Sequence, residues 1–220
     1  RSPSRSAAGT PAAKASHSRG KTRRMSRVIQ SVSSRAPDVT ATVQLVERLK
    51  ARREFADLRV SPLLIVAKAV CLALRRTPEL NSFWDEPAQH IVLKSSINLG
   101  IAAATPRGLL VPNIKGAESL SLAELAAALQ GIVTTAREGK AQPADLAGGT
   151  FTITNIGVFG VDAGTPILNP EESGILCFGQ ITRRPWVVGD GSDERIELRL
   201  VTSLSVSFDH RLADGAHGWT

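Results

Sequence analysis

Apolar and polar positions divide the chain into a polar start and a patterned remainder. Residues 1 to about 24 carry almost no large apolar side chain, so they cannot offset the entropy of ordering and are expected to be disordered. Folding is expected to begin near Asp38. Across residues 43–53, Val43, Val46 and Leu49 recur among charges at helical spacing, which predicts a surface helix with one buried stripe. Ser61 and Pro62 then introduce residues 63–74, apolar nearly all round. Serine suits the cap, proline suits the first helical position, and this helix is expected to be buried on most sides. Ser121, with Glu124 three residues on, forms a capping box for a further helix that stays apolar through Leu129 and Val133 and stops near Gly139.

Elsewhere the pattern is that of strands. Two apolar runs between Ile97 and Ile114 flank Thr105-Pro106-Arg107-Gly108, which predicts a hairpin. Residues 151–159, 174–181 and 196–208 are β-rich, with Gly189-Asp190-Gly191 as a loop between the last two. In the last strand Ile196, Leu198, Leu200, Leu204, Val206 and Phe208 share even numbers, so a period of two sends them to one apolar face. His210 continues that phase. It is expected to point inward, with Asp209 and Arg211 facing the other way, and a buried imidazole needs partners for both nitrogens. No internal repeat is visible.

Composition narrows the function classes. At 220 residues the chain can form one large domain or two small ones without disulfide or metal support. The net charge of +7 lies wholly in the start: Arg1, Arg5, Lys14, Arg19, Lys21, Arg23 and Arg24 precede the first acid, Asp38, and the rest is balanced. Like-charge blocks without interleaved aromatics are usually solvated, so neither nucleic acid nor a membrane is expected as a partner. Cys71 and Cys177 sit in apolar runs and read as buried thiols, leaving no disulfide framework or cysteine zinc site, and no metal is expected. The longest apolar run is interrupted by Lys68 and falls short of the roughly 20 residues that span a bilayer. The start has no apolar signal segment, and its Ala, Pro and Ser content suits a linker.

The segment Ser207-Phe208-Asp209-His210-Arg211-Leu212-Ala213-Asp214-Gly215 resembles the C-terminal signature of the dihydrolipoamide acyltransferases, the E2 core subunits of 2-oxo acid dehydrogenase complexes. Three further segments follow the family's order: Asn98-Leu99-Gly100-Ile101 with Thr105-Pro106-Arg107-Gly108-Leu109, then Gly149-Thr150-Phe151-Thr152-Ile153-Thr154-Asn155, then Pro166-Ile167-Leu168-Asn169-Pro170. The resemblance implies a two-layer α/β fold like that of chloramphenicol acetyltransferase, a mixed sheet packed by helices. It implies acyl transfer between dihydrolipoamide and coenzyme A, with the catalytic residues His210 as general base, Thr154 donating to the oxyanion, and Asp214 orienting the loop and helping to hold the imidazole. Ser61, Asn155 and Gly179 fall at coenzyme A positions. Each has a plainer alternative: a satisfied core histidine, a threonine of high β-propensity, a loop anchor, a helix cap.

The resemblance further implies homotrimers assembled into a cage, with His210 of one subunit facing Thr154 of the next, in a bacterial cytoplasm or, in a eukaryote, the mitochondrial matrix. The family's lipoyl domain and the small domain that binds the E1 and E3 partner enzymes are not expected among these residues. The lipoyl group is therefore expected from a domain outside this chain. Residues 1–37 are expected to be linker and 38–220 the catalytic domain. The stretch before Asp38 is expected to be too short for the family's opening helix and strand, the strand being the one absent, and the family's last helix is expected to be missing after Thr220. An acid and an arginine near the coenzyme in the family are matched by Ala104 and Val46. The chain thus reads as an acyltransferase for branched-chain or acetyl groups, succinyl being disfavoured by Ile156. The alternative is a poorly active scaffold or shortened copy.

Overall fold

A computed structural model describes residues 30–214. In chain order, β1 (Gln30–Arg35) leads to helices α1 (Thr40–Lys50) and α2 (Pro62–Arg76) and then to a hairpin of β2 (Ser82–Asp85) and β3 (His90–Leu93). Short strands β4 (Leu99–Ile101), β5 (Ala103–Thr105), β6 (Gly108–Leu110) and β7 (Asn113–Ile114) precede α3 (Leu122–Arg137) and the single turn α4 (Pro143–Leu146). Then come β8 (Phe151–Asn155), β9 (Gly174–Phe178), β10 (Thr182–Val188), β11 (Arg195–Val201) and β12 (Leu204–Asp209).

Six strands form one sheet in the order β1-β12-β9-β8-β4-β7. β8 runs parallel to β4 and β9, and the other pairs are antiparallel, so the sheet is mixed as expected. Helices cover one face. Leu99, Ile101, Phe151, Ile153, Leu176, Val206 and Phe208 of the sheet pack with Leu64, Ala67 and Cys71 of α2 and Leu125 and Leu129 of α3 in a single core. The capping box is formed, with Ser121 Oγ accepting from the Glu124 amide and Glu124 accepting from the Ser121 amide, and Gly139 takes positive φ just past α3. The 97–114 hairpin also forms, as β5 on β6 around residues 105–108, continued by β4 on β7.

Four expectations give way. The stretch before Asp38 contains a strand: β1 pairs along its whole length with β12, inside the segment read as linker. Its sequence, Gln-Ser-Val-Ser-Ser-Arg, lacks an apolar face because an edge strand packs little, and β12 supplies the template. Helix α2 buries one stripe, Leu64, Ala67, Cys71 and Leu74, while Leu72 stays 48% exposed. Residues 196–208 are two strands, not one. Thr202 and Ser203 break them, and β11 leaves to pair with the unforeseen β10, so Ile196 and Leu198 are 74% and 69% exposed. The even phase reaches the core only from Leu204 onward. Finally, Ser61 stands at the N-cap of α2 but its side chain makes no capping bond. Residues 1–24, expected to be disordered, and residues 215–220, after which the family's last helix is expected to be missing, lie outside the described residues.

Candidate active site

Along β8, Phe151 and Ile153 face the helices, so alternation sends Thr150, Thr152 and Thr154 to the opposite face of the sheet. Two cavities open where β8 ends. One, of about 450 Å³, is lined by Ser61, Thr154, Asn155 and Gly179 together with Arg59 and Arg137. The other, of about 300 Å³, is lined by Thr154, Ile156, Ile167, Ile175 and Cys177 among others. Thr154 lines both. The four residues assigned from sequence to β8, β9 and the start of α2 are thus brought to one place.

Local bonding shows what each can still do. The Ser61 carbonyl accepts from the Leu64 amide, but its hydroxyl makes no capping bond and remains for the cavity it lines. Asn155 Oδ1 accepts from the Gly157 amide at 3.0 Å, which leaves the side-chain NH₂. Gly179 donates its amide to Ser203 and accepts from Thr202 Oγ1 at 2.9 Å, so both backbone groups are engaged within the chain. A Cβ at Gly179 would lie 1.9 Å from the Asp162 carbonyl oxygen, so this wall of the cavity requires glycine. Ala104 lines the same cavity, whereas Val46 is 2% exposed in the core. Arg59 and Arg137 are the cations this cavity holds.

His210 lies elsewhere. β12 ends at Asp209, and the His210 ring stacks on Phe208 with centroids 5.9 Å apart, keeping the expected phase, but the residue emerges exposed and not into the interior. The inward placement fails because the strand stops one residue too soon. Asp209, expected to face outward, is 4% exposed and bound by Arg211. Asp214 is exposed on the same loop.

Register fixes the separation between His210 and Thr154. Thr154 pairs with Cys177, and Cys177 pairs with Ser205 of the antiparallel β12. His210 lies five residues beyond Ser205, about 17 Å along the strand and two strands across, which gives ~19 Å within one chain. Two groups that must share a reacting atom cannot do so across that distance. Within one chain, His210 and Thr154 therefore stand at opposite ends of the sheet, as expected for residues that meet only between subunits.

Sequence reasoning missed a half-buried cluster beside Thr154. Thr152 Oγ1 donates to Glu172 Oε2 at 2.7 Å, and Asn169 Nδ2 donates to both Thr152 Oγ1 and Glu172 Oε2, at 2.9 and 3.1 Å. Burial pushes the Glu172 carboxyl above the usual carboxylate value, against the two hydrogen bonds. This cluster ties the segment after Pro166 to β8. Among the described residues no group of three or more His, Cys, Asp and Glu could hold a metal, and no helix is long and apolar enough to cross a membrane.

The six-stranded mixed sheet backed by helices places the chain in the class of chloramphenicol acetyltransferase-like folds. Chloramphenicol acetyltransferase itself shares the fold with a TM-score of 0.56 at 16% identity, over 86% of this chain and 82% of its own. Residues 21–220 match the 2-oxoacid dehydrogenases acyltransferase (catalytic domain) family, and the chain belongs to it. A dihydrolipoyllysine-residue acetyltransferase component of pyruvate dehydrogenase complex from Mycobacterium bovis is 40% identical over 217 residues, 91% of this chain and 39% of that protein. The chain thus spans well under half of that relative.

Among solved structures, the dihydrolipoamide acetyltransferase of Azotobacter vinelandii, studied for the roles of a serine, a histidine and an asparagine in its catalytic mechanism, is similar with a TM-score of 0.80. The identity is 33%, covering 87% of this chain and 77% of that one. A cubic core of the pyruvate dehydrogenase multienzyme complex matches with a TM-score of 0.81 at 32% identity, with the same coverage.

Proposed function

We propose that the chain transfers an acyl group between the thiol of dihydrolipoamide and the thiol of coenzyme A, as the core of a 2-oxo acid dehydrogenase complex. The observation that carries this is the split site: Thr154, Asn155 and Ser61 converge on one cavity, while His210 stands exposed at the other end of the sheet, and on this reading a second copy completes each site. His210 Nε2 takes the proton of the attacking thiol, whose unperturbed pKa near 8.5 leaves little thiolate at neutral pH. The new thiolate attacks the thioester carbonyl carbon, and the carbonyl oxygen becomes an oxyanion that the Thr154 hydroxyl donates to. Collapse breaks the original carbon–sulfur bond, and the leaving thiolate recovers the proton from the imidazolium. No step leaves a net charge or an unplaced proton.

The basic side chains Arg59 and Arg137 fit the larger cavity to a phosphate-bearing thiol such as coenzyme A, with Ser61, Asn155 and Gly179 along its wall. The smaller cavity is lined mostly by apolar side chains, with uncharged threonines and Asn169 and no cation, which favours a short uncharged acyl group, acetyl or branched-chain, over succinyl. The assembly that joins the half-sites is a homotrimer, and trimers build a larger cage. Exposed apolar side chains on the β10–β11 hairpin (Val187, Ile196, Leu198) and after β8 (Val158, Phe159, Ile167) supply surface for such contacts. Lipoyl groups arrive on another domain, and E1 and E3 act as partner enzymes, in the cytoplasm of a bacterium or the matrix of a mitochondrion.

The test is direct acyl transfer from acetyl-CoA or isobutyryl-CoA to free dihydrolipoamide. His210→Ala is expected to lower the rate by at least about 10²-fold. Equal rates in wild type and variant would remove His210 from the chemistry. Inactivity of both, with large assemblies on a sizing column, would mark a scaffold.

A further inference from the structure

The imidazole of His210 is held in this chain by its stack on Phe208, and its backbone is the apex of a turn whose two ends return to one residue. Asp209 O accepts from the Leu212 amide at 2.9 Å and the Ala213 amide at 3.3 Å. Asp209 Oδ1 accepts from the Arg211 amide at 3.1 Å. The Arg211 guanidinium then closes on the same carboxylate, with Nε at 3.0 and 3.1 Å from Oδ1 and Oδ2, and Nη2 at 2.6 Å from Oδ2. His210 therefore sits between the two halves of a clamp. The clamp is not free-standing. Arg211 Nη1 lies 3.6 Å from Glu86 Oε2, its guanidinium carbon is 5.6 Å from the centroid of the Trp84 ring, and Trp84 Nε1 donates to Glu86 Oε2 at 2.6 Å. Trp84 and Glu86 belong to the β2–β3 hairpin, which contributes to neither cavity.

We propose that Asp209 and Arg211, braced by Trp84 and Glu86, are the positioning residues of His210 and set the direction in which its imidazole is presented to a neighbouring subunit. This rests on the acyl-transfer function of His210. Three features support it. The Asp209 side chain is 5% exposed, so its carboxylate depends on Arg211 for compensation. The fork of Arg211 binds both carboxylate oxygens, which fixes rotation as well as distance in a way an ammonium cannot. The imidazole itself is exposed and gains its direction from the backbone that carries it. A base presented from an exposed turn needs its orientation set beforehand, because a misplacement near 1 Å costs about 10²-fold in rate.

A double-mutant cycle on the whole assembly tests this. Arg211→Gln is expected to lower kcat by about 10- to 10²-fold while KM for acyl-CoA and for dihydrolipoamide stays within about twofold. The same substitution in a His210→Ala background is expected to cost nothing further, because a positioning residue acts only through the group it positions. Arg211→Lys is expected not to rescue, lacking the fork. Glu86→Gln, at a half-exposed surface carboxylate, keeps the fold testable if Arg211→Gln does not assemble; it is expected to lower kcat several-fold with an unchanged Tm. An unchanged kcat in Arg211→Gln would overturn the proposal, as would an equal further loss in the His210→Ala background. So would unchanged kcat in Glu86→Gln where Arg211→Gln fails to assemble. A wild type without transferase activity overturns the acyl-transfer function and this role together, whereas a His210→Ala variant as active as the wild type overturns the function of His210 first.

Discussion

Separating the two half-sites by ~19 Å within one chain makes a quantitative prediction for mixed assemblies. Let one population carry His210→Ala and another Thr154→Val. Each alone lacks half of every site: losing the base costs about 10²- to 10⁴-fold, and losing an oxyanion donor about 10²- to 10³-fold, so either parent retains roughly 1% of activity or less. When subunits mix at random in equal amounts, a site is intact only where His210 comes from a Thr154→Val subunit and Thr154 from a His210→Ala subunit. Each condition holds half of the time, so about a quarter of the sites recover, whatever the number of subunits in the closed ring. Coexpression with two distinguishable tags, purification through both, and the acyl-CoA to dihydrolipoamide assay give the readout, with the expected fraction corrected for tag selection. Activity restored far above either parent is the expected result. A mixture no better than the mean of its parents would show that the two groups do not work across a subunit boundary, and the register argument would fail with it.

Two further predictions follow from buried groups. Glu172 has its folded-state pKa raised by burial above the ordinary 4.5, so its protonated form is favoured in the fold; the associated stability is fully present below about pH 4.5 and is lost as pH rises through the raised value. Thermal unfolding of Glu172→Gln is therefore expected to show a Tm advantage at pH 7 that shrinks as pH falls to 4.5, and an advantage independent of pH would refute the burial cause. Gly179→Ala places a Cβ 1.9 Å from the Asp162 carbonyl and is expected to lower Tm and weaken coenzyme A binding together, measured by calorimetry; an unperturbed variant would show that the 161–164 segment yields freely.

What the sequence made legible was local. The Ser121–Glu124 box, the 105–108 turn and the Pro62 start of α2 are specified by neighbours in the chain, and each appears where the pattern put it. Features set by distant partners were not legible. β1 is a strand because β12 pairs with it, and six residues with a single apolar side chain give no period to read. The break at Thr202-Ser203 has no glycine or proline to announce it, so two strands with one phase merged into one, and Ile196 and Leu198 were assigned to an interior they do not reach. At the site, Thr154, Asn155 and Ser61 were identified through motif resemblance, and the structure places them together. The clamp of Asp209 and Arg211 went unseen because alternation treats a strand as endless, whereas the strand ends at Asp209 and the next residue turns out of the sheet.

Strand polarity has one more consequence. β12 runs against β8 and β9, so the residue that follows it must leave at the end of the sheet where those two begin. No point substitution can carry an imidazole from there to Thr154; only reversal of a strand could. Below the concentration at which copies associate, specific activity should therefore rise with protein concentration, and dilution should silence a chain that is still fully folded. On the proposed function, catalysis would then report on assembly, and a subunit apart from its partners would spend no thioester.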